Sequence, residues 1–192
     1  MKGIIKSLDT VNIFVNHWPS RYPGQIETIH KRRAAALTLK RLTDSLFSTD
    51  PFSRIIIMGD FNDEPQDASI SETLGAFEIM GPLFNYSPEL SSFQANTLYC
   101  LVPPVQNQIS GTIKFEGRWY LFDQFIVSGG LLLETSSNKL LSHKSLILDH
   151  DFLFEPDEAY TGRKPLRAYN GYIYKGGYSD HLPILLDLIL LK

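Results

Sequence analysis

RIIIMGDFND, residues 54–63, is the stretch on which the reading of the fold turns. Arg54 to Gly59 is a short, unbroken apolar run, and a strand apolar at successive positions is normally covered on both faces. Pro51 precedes it, and the acidic turn Asp60-Phe61-Asn62-Asp63-Glu64-Pro65 ends it. A buried strand that opens directly into acidic and amide side chains places a polar cluster at a strand end, where sites tend to be built. Taken alone, Asp60-Phe61-Asn62 also reads as an Asx-type turn, because Asp and Asn hydrogen-bond their own backbone in such turns.

Upstream, Gly3 to Lys6 and Val11 to Asn16 are β-branched apolar runs separated by Ser7-Leu8-Asp9-Thr10, which predicts a hairpin. The second run ends in a second polar cluster, NHWPSR at residues 16–21. Between the two clusters, Ile26, Ile29, Leu37, Leu42 and Leu46 recur near helical spacing. That predicts a helix from Gln25 to about Phe47 with these residues buried and Lys31, Arg32 and Arg33 on its solvated face.

Downstream, residues 66–80 read as a short helix with Asp67 or Ser69 as N-cap, and residues 81–110 as a long surface excursion. Gly111 to Phe115 and Arg118 to Ser128 form a hairpin around Glu116-Gly117, and Pro183 precedes a final core strand, ILLDLILL. Residues 143–178 show no clear period. Within them Tyr172, Tyr174 and the neighbouring Tyr178 read as loop packing. His150, in Asp149-His150-Asp151, lacks a strand-end setting.

The 192 residues are 43% hydrophobic with a formal charge of −3, which fits one globular domain over residues 1–192 and excludes a global basic field for nucleic acid. Cys100 is the only cysteine, so no intrachain disulfide and no cysteine-based zinc site is open to the chain. No stretch reaches the length of a membrane-spanning helix, and the start lacks a signal-type apolar region. The chain reads as soluble.

Taken together, NHWPSR, GDFND and GGYSDHLPI, in this order and each at a strand edge, resemble the endonuclease/exonuclease/phosphatase superfamily, the DNase I-like proteins. WYLFDQFIVS, residues 119–128, resembles a fourth element of that family, in which an aspartate precedes a strand. The resemblance implies a four-layer α/β sandwich (α/β, α+β class) and metal-assisted hydrolysis of a phosphoester by an in-line water. It implies that Asp60 orients or deprotonates the water and that Asn62 holds the phosphate and that carboxylate. Asp180 would sit beside the metal, and His181 would donate to a phosphate oxygen or move a proton. Asp123 would fix the tautomer of His181. His17 would contact the scissile phosphate. Asn16 would brace its loop beside substrate, Trp18 and Pro19 would wall it, and Arg21 would clamp a second phosphate. The implied cofactor is Mg²⁺, with Mn²⁺ as the alternative, at Asp180, Asp60 and Asn62.

The resemblance covers only the later half of the family's domain. The earlier half carries an asparagine, the glutamate that is the principal Mg²⁺ ligand, and an acidic partner for the histidine matching His17. Its absence implies a fragment that exposes apolar surface on RIIIMG and ILLDLILL, binds Mg²⁺ weakly, and self-associates or pairs with a complementing N-terminal half. The leading expectation is a metal-dependent phosphodiesterase or endonuclease-like enzyme, truncated and of uncertain activity alone, acting on a phosphoester substrate that includes nucleic acid. A phosphomonoesterase on inositol phosphates or phospholipid head groups is the same-fold alternative. A noncatalytic interaction module is the alternative of another class. Localisation stays open, since relatives of the HWPSR form are often secreted or periplasmic.

Overall fold

The structure, a computed structural model, describes residues 2–5, 9–22, 24–80, 83–84, 93–133 and 139–191. A six-stranded mixed sheet forms its centre, in the order β1 (Lys2–Ile5), β2 (Asp9–His17), β3 (Arg54–Asp60), β9 (Asp123–Ser128), β6 (Leu98–Val102) and β4 (Ala76–Met80). β2 runs parallel to β3 and β4 parallel to β6, whereas β9 is antiparallel to both its neighbours.

The period of two along these strands sorts the apolar residues to two faces. On one face Ile55, Ile57, Cys100 and Ile126 are fully buried against Ala36 and Leu39 of the helix α1 (Gln25–Thr49). On the other, Ile56, Met58, Phe125 and Val127 pack with Ile184 and Leu186. Those two lie on β15 (Ile184–Leu191), which pairs with β10 (Lys139–Ile147) and through it with β5 (Leu83–Phe84) in a second sheet. Each large aliphatic side chain so buried contributes about 1.5–3 kcal/mol. Helix, sheet and sheet therefore stack as the run 54–59 requires, in a mixed α/β architecture. Three two-stranded ribbons complete it: β7 (Ile113–Phe115) with β8 (Arg118–Tyr120), β11 (Phe154–Pro156) with β12 (Arg163–Pro165), and β13 (Tyr169–Asn170) with β14 (Ile173–Tyr174). The only other α-helical element among the described residues is one turn, α2 (Gly129–Leu132). No helix among the described residues is long and apolar enough to cross a membrane.

Several sequence expectations need correcting. The buried face of α1 is Thr28, Arg32, Ala36, Leu39 and Thr43, while Ile26, Leu37 and Leu42 are exposed. Arg32 therefore belongs to the interior and not to a solvated face. Residues 66–80 are a single π-helical turn, Ser69–Leu74, followed by β4, and no side chain caps that turn. The polar excursion 81–110 contains β6, whose Leu98, Tyr99, Cys100 and Leu101 are all buried. In RIIIMG, where exposed apolar surface was expected, Ile55 and Ile57 are wholly covered and Ile56 and Met58 half-buried, while on the last strand Leu185 faces solvent. Residues 118–128 are two strands in separate sheets. The hairpin of residues 3–16 is present as β1 and β2, although its turn, residues 6–8, lies outside the described residues.

Candidate active site

Strand register brings the polar residues together. His17 ends β2 opposite Asp60, and Asp60 ends β3 opposite Asp123, the first residue of β9. His17, Asp60 and Asp123 thus form one row across three neighbouring strands. Backbone bonds continue the row past the strand ends: Trp18 N donates to Asp60 O at 2.8 Å, and Phe61 N to Phe122 O at 2.9 Å. Gly59 makes the close pairing of β2 and β3 here possible. Its φ is +130°, and a Cβ would stand 1.9 Å from Asn16 O, so no other residue fits without moving a strand.

Within the row, His17 Nε2 lies 3.5 Å from Asp60 Oδ2, with its imidazole mostly exposed. Asn62 holds Asp60 from the other side. Its N–H donates to Asp60 Oδ1 at 2.8 Å, and its amide Nδ2 donates to Asp60 Oδ2 at 3.1 Å and to Trp18 O at 3.0 Å. Asn62 does this from a left-handed conformation, φ 52°, which asparagine tolerates better than most residues. Burial raises the Asp60 pKa above the usual carboxylate value. The Asn62 N–H and the charge of His181 pull it back, Asp123 pushes it up and His17 pulls it down, and the net direction is upward.

His181 enters from the far end of the chain. An isolated bridge pairs it with Ile113, and Leu182 N donates to Thr112 O at 2.7 Å. Its Nδ1 meets Asp123 Oδ2 at 2.6 Å, and Thr112 Oγ1 donates to the same oxygen at 2.6 Å. Burial lowers the His181 pKa, but the hydrogen bond and charge of Asp123, then the charges of Asp60 and Asp180, outweigh it and leave the pKa raised. With Nδ1 directed to Asp123, Nε2 is the nitrogen left for a ligand.

Not every expected residue faces this cluster. Asp180 is exposed next to His181. Asn16 uses its side chain on the loop, donating to Phe14 O at 3.3 Å and accepting from Trp18 Nε1 at 3.3 Å. Trp18 is buried edge-on against Phe61, centroids 4.9 Å apart. The Arg21 guanidinium braces the turn: Nε donates to Asn62 O at 2.7 Å and Nη2 pairs with Asp63 at 3.0 Å and with Asp67. His150 stacks on Phe152. Tyr172, Tyr174 and Tyr178 are exposed, yet Tyr174 lies against Tyr169, centroids 5.3 Å apart, and Tyr178 edge-on against Phe152 at 5.7 Å, the loop packing expected of them.

The residues missed from sequence lie behind the row. Asp63, 1% exposed, takes Arg32 Nε at 2.7 Å, Arg21, and the Ser69 hydroxyl at 2.6 Å. Gln124 Nε2 donates to Asp63 O at 2.6 Å. Thr112 gave no signal beyond following Gly111, and Asp63 only its place inside GDFND.

A metal expected at Asp60, Asn62 and Asp180 finds a short donor set. Both Asp60 oxygens already accept from Asn62, and Asn62 turns its amide NH₂ toward that carboxylate. Among the described residues no three His, Cys, Asp or Glu side chains group as a cation site. The residues described do not make a metal centre by themselves.

The family model described as "Endonuclease/Exonuclease/phosphatase family" matches residues 2–189. The chain belongs to that family. As a member, it shares its fold with the crystal structure of truncated Caenorhabditis elegans TDP2, at 16% identity and a TM-score of 0.50. The alignment covers 97% of this family member and 57% of the TDP2 chain, so it spans little more than half of that structure. No curated protein matches it.

Proposed function

We propose that the chain carries the phosphate-handling part of a phosphodiesterase, with nucleic acid among its substrates. The observation that supports this reading is the row itself: a carboxylate, Asp60, flanked by His17 and by a histidine that Asp123 orients. Asp60, with a pKa raised by burial, is a stronger base than a free carboxylate, which suits it to take a proton from an attacking water. Asn62 keeps that carboxylate in one orientation. His181 holds its proton to higher pH than an ordinary imidazole, which suits it to donate to a nonbridging phosphate oxygen. His17, mostly exposed beside Asp60, is placed for the leaving side. Members of the family generally use a divalent metal; Mg²⁺ or Mn²⁺ near Asp60 and Asp180 would supply further charge neutralisation, with ligands beyond those described.

The same reading includes assembly, with the β2 edge joining a second copy of the chain. The test of the chemistry is hydrolysis of bis(p-nitrophenyl) phosphate with Mg²⁺ or Mn²⁺ present. Asp60→Asn and His181→Ala should each lower kcat by about 10²-fold or more, the usual worth of a positioned acid or base, and Asp180→Asn tests the metal side. A folded chain with no turnover in either metal, or with turnover indifferent to Asp60 and His181, would leave a noncatalytic module as the better reading.

A further inference from the structure

Thr112 has no exposed surface, yet it touches three separate parts of the site. Its N–H donates to Tyr120 O on β8 at 2.8 Å, and its carbonyl accepts at 2.7 Å from Leu182 N, directly after His181. The next residue, Ile113, pairs with His181 itself. The Thr112 hydroxyl grips Asp123 twice, accepting from its backbone N–H at 3.2 Å and donating to its Oδ2 at 2.6 Å. Gly111 lets the segment come this close, since a Cβ there would stand 2.4 Å from Tyr120 O. Behind it β7 is pinned by Lys114, whose side chain, 4% exposed, reaches Asp157 at 2.9 Å and Thr161 O at 2.8 Å.

A hydroxyl has one hydrogen to give. The Asp123 N–H is itself a donor, so Thr112 Oγ1 accepts there and sends its hydrogen to Oδ2. Oδ2 is thereby fixed as an acceptor, and the bond to His181 Nδ1 at 2.6 Å takes its hydrogen from the ring. One partner would satisfy a buried hydroxyl; this one holds the backbone and the carboxylate of the same residue, which stops that carboxylate from turning. We propose that Thr112 is a positioning residue: its hydroxyl locks Asp123 so that the neutral His181 ring keeps its proton on Nδ1 and presents Nε2 to the phosphate. A second proton, when the ring carries one, then sits on Nε2. The inference rests on the phosphodiesterase reading above and adds to it the residue that orders the histidine.

Thr112→Val, which removes the hydroxyl and keeps the branched shape, and Thr112→Ser, which keeps the hydroxyl, test it in the whole 192-residue chain. Two-bond proton–nitrogen NMR spectra report which ring nitrogen of His181 carries the proton, and hydrolysis of bis(p-nitrophenyl) phosphate reports kcat and KM. The parent and Thr112→Ser should hold the proton on Nδ1, whereas Thr112→Val should show both tautomers. In Thr112→Val kcat should fall about tenfold or more with KM within about twofold, the usual cost of losing an outer hydrogen bond that orients a histidine. Thr112→Ser should keep most of the parent's kcat. The loss should vanish in an Asp123→Ala background, because the hydroxyl acts through that carboxylate. Where Val disturbs the fold, Thr112→Ala carries the same comparison. A ring proton on Nδ1 in every variant with parental kcat, equal losses in Thr112→Val and Thr112→Ser, or a loss that persists beside Asp123→Ala would overturn the proposal. A folded parent without turnover, its tautomer still set by the hydroxyl, would remove the phosphodiesterase reading and leave the positioning of the ring standing.

Discussion

Asp123 Oδ2 receives the Thr112 hydroxyl and His181 Nδ1, each at 2.6 Å, and that one oxygen decides how the histidine titrates. Burial works against the imidazolium, and Asp123 is the largest influence working for it. The folded pKa therefore lies above the unfolded one, near 6.5 for a free histidine side chain, on the order of the ordinary reference value. By linkage, the His181–Asp123 pair contributes stability that is fully present below the unfolded pKa and lost as pH rises through the folded pKa. Asp123→Asn removes the largest influence opposing burial and leaves only the charges of Asp60 and Asp180, so the His181 pKa should fall. An NMR titration of the ring protons reads this directly. The alkaline limb of the activity profile should move to lower pH by the same amount, because the protonated form is the one proposed to meet the phosphate. A His181 pKa unmoved by Asp123→Asn would show that the 2.6 Å contact does not control it.

At the level of elements, α1 and the turn after β3 are joined by ions as well as by apolar packing. Arg32 has no exposed surface; its Nη1 donates to Thr28 Oγ1 at 2.7 Å and its Nη2 to Gln25 O at 3.2 Å, while Nε faces Asp63 at 2.7 Å off the hydrogen-bonding line. Removing one partner of a buried pair strands the other charge in the interior. Asp63→Ala should therefore cost about 3–5 kcal/mol in urea unfolding, whereas Arg33→Ala, which breaks an exposed pair with Glu72, should stay within about 1 kcal/mol. Similar small losses for both would mean that the ion pair does not anchor the turn. This part of the molecule was also the least legible in sequence. Hydrophobic periodicity assumes that apolar residues choose the buried face, and here an arginine and two threonines took it because Asp63 supplied the counter-charge. β6 was hidden for a related reason: its five residues sit beside polar sequence, and their burial is set by β9 and β4, which no local pattern announces. By contrast, the placement of His17, Asp60 and Asp123 in one row was legible because each ends or begins a strand whose apolar run is unmistakable. His181, next to Pro183 and the last strand, was legible for the same reason. Thr112 was not, since its importance exists only once His181 has folded onto Asp123.

On the scale of the whole molecule, the central sheet is unfinished where the site lies. β1 pairs with Asp9 to Asn12 of β2, and from Phe14 to His17 β2 is paired, among the described strands, with β3 alone. Beside this edge lies an open hollow of about 520 Å³ between β2 and α1, bordered by Val15, 70% exposed, Leu42, 50% exposed, and His17. A sheet edge flanked by exposed aliphatic side chains is a template for another strand, and natural edges usually carry a charge or proline to prevent it. Val15 and Phe14 offer neither. The chain should therefore associate through this edge as its concentration rises, which sedimentation velocity over a hundredfold concentration range will detect. Val15→Lys places a cation on the edge and should return the protein to monomer with little change in its melting temperature, because Val15 contributes little to the core. Since His17 ends this same edge opposite Asp60, a second strand laid there would reach the active row. Specific activity per chain should then rise with concentration in the parent protein and lose that dependence in Val15→Lys. A monomer at every concentration, with activity strictly proportional to protein, would show that the β2 edge is tolerated as it stands and that the row works, or fails to work, within one chain.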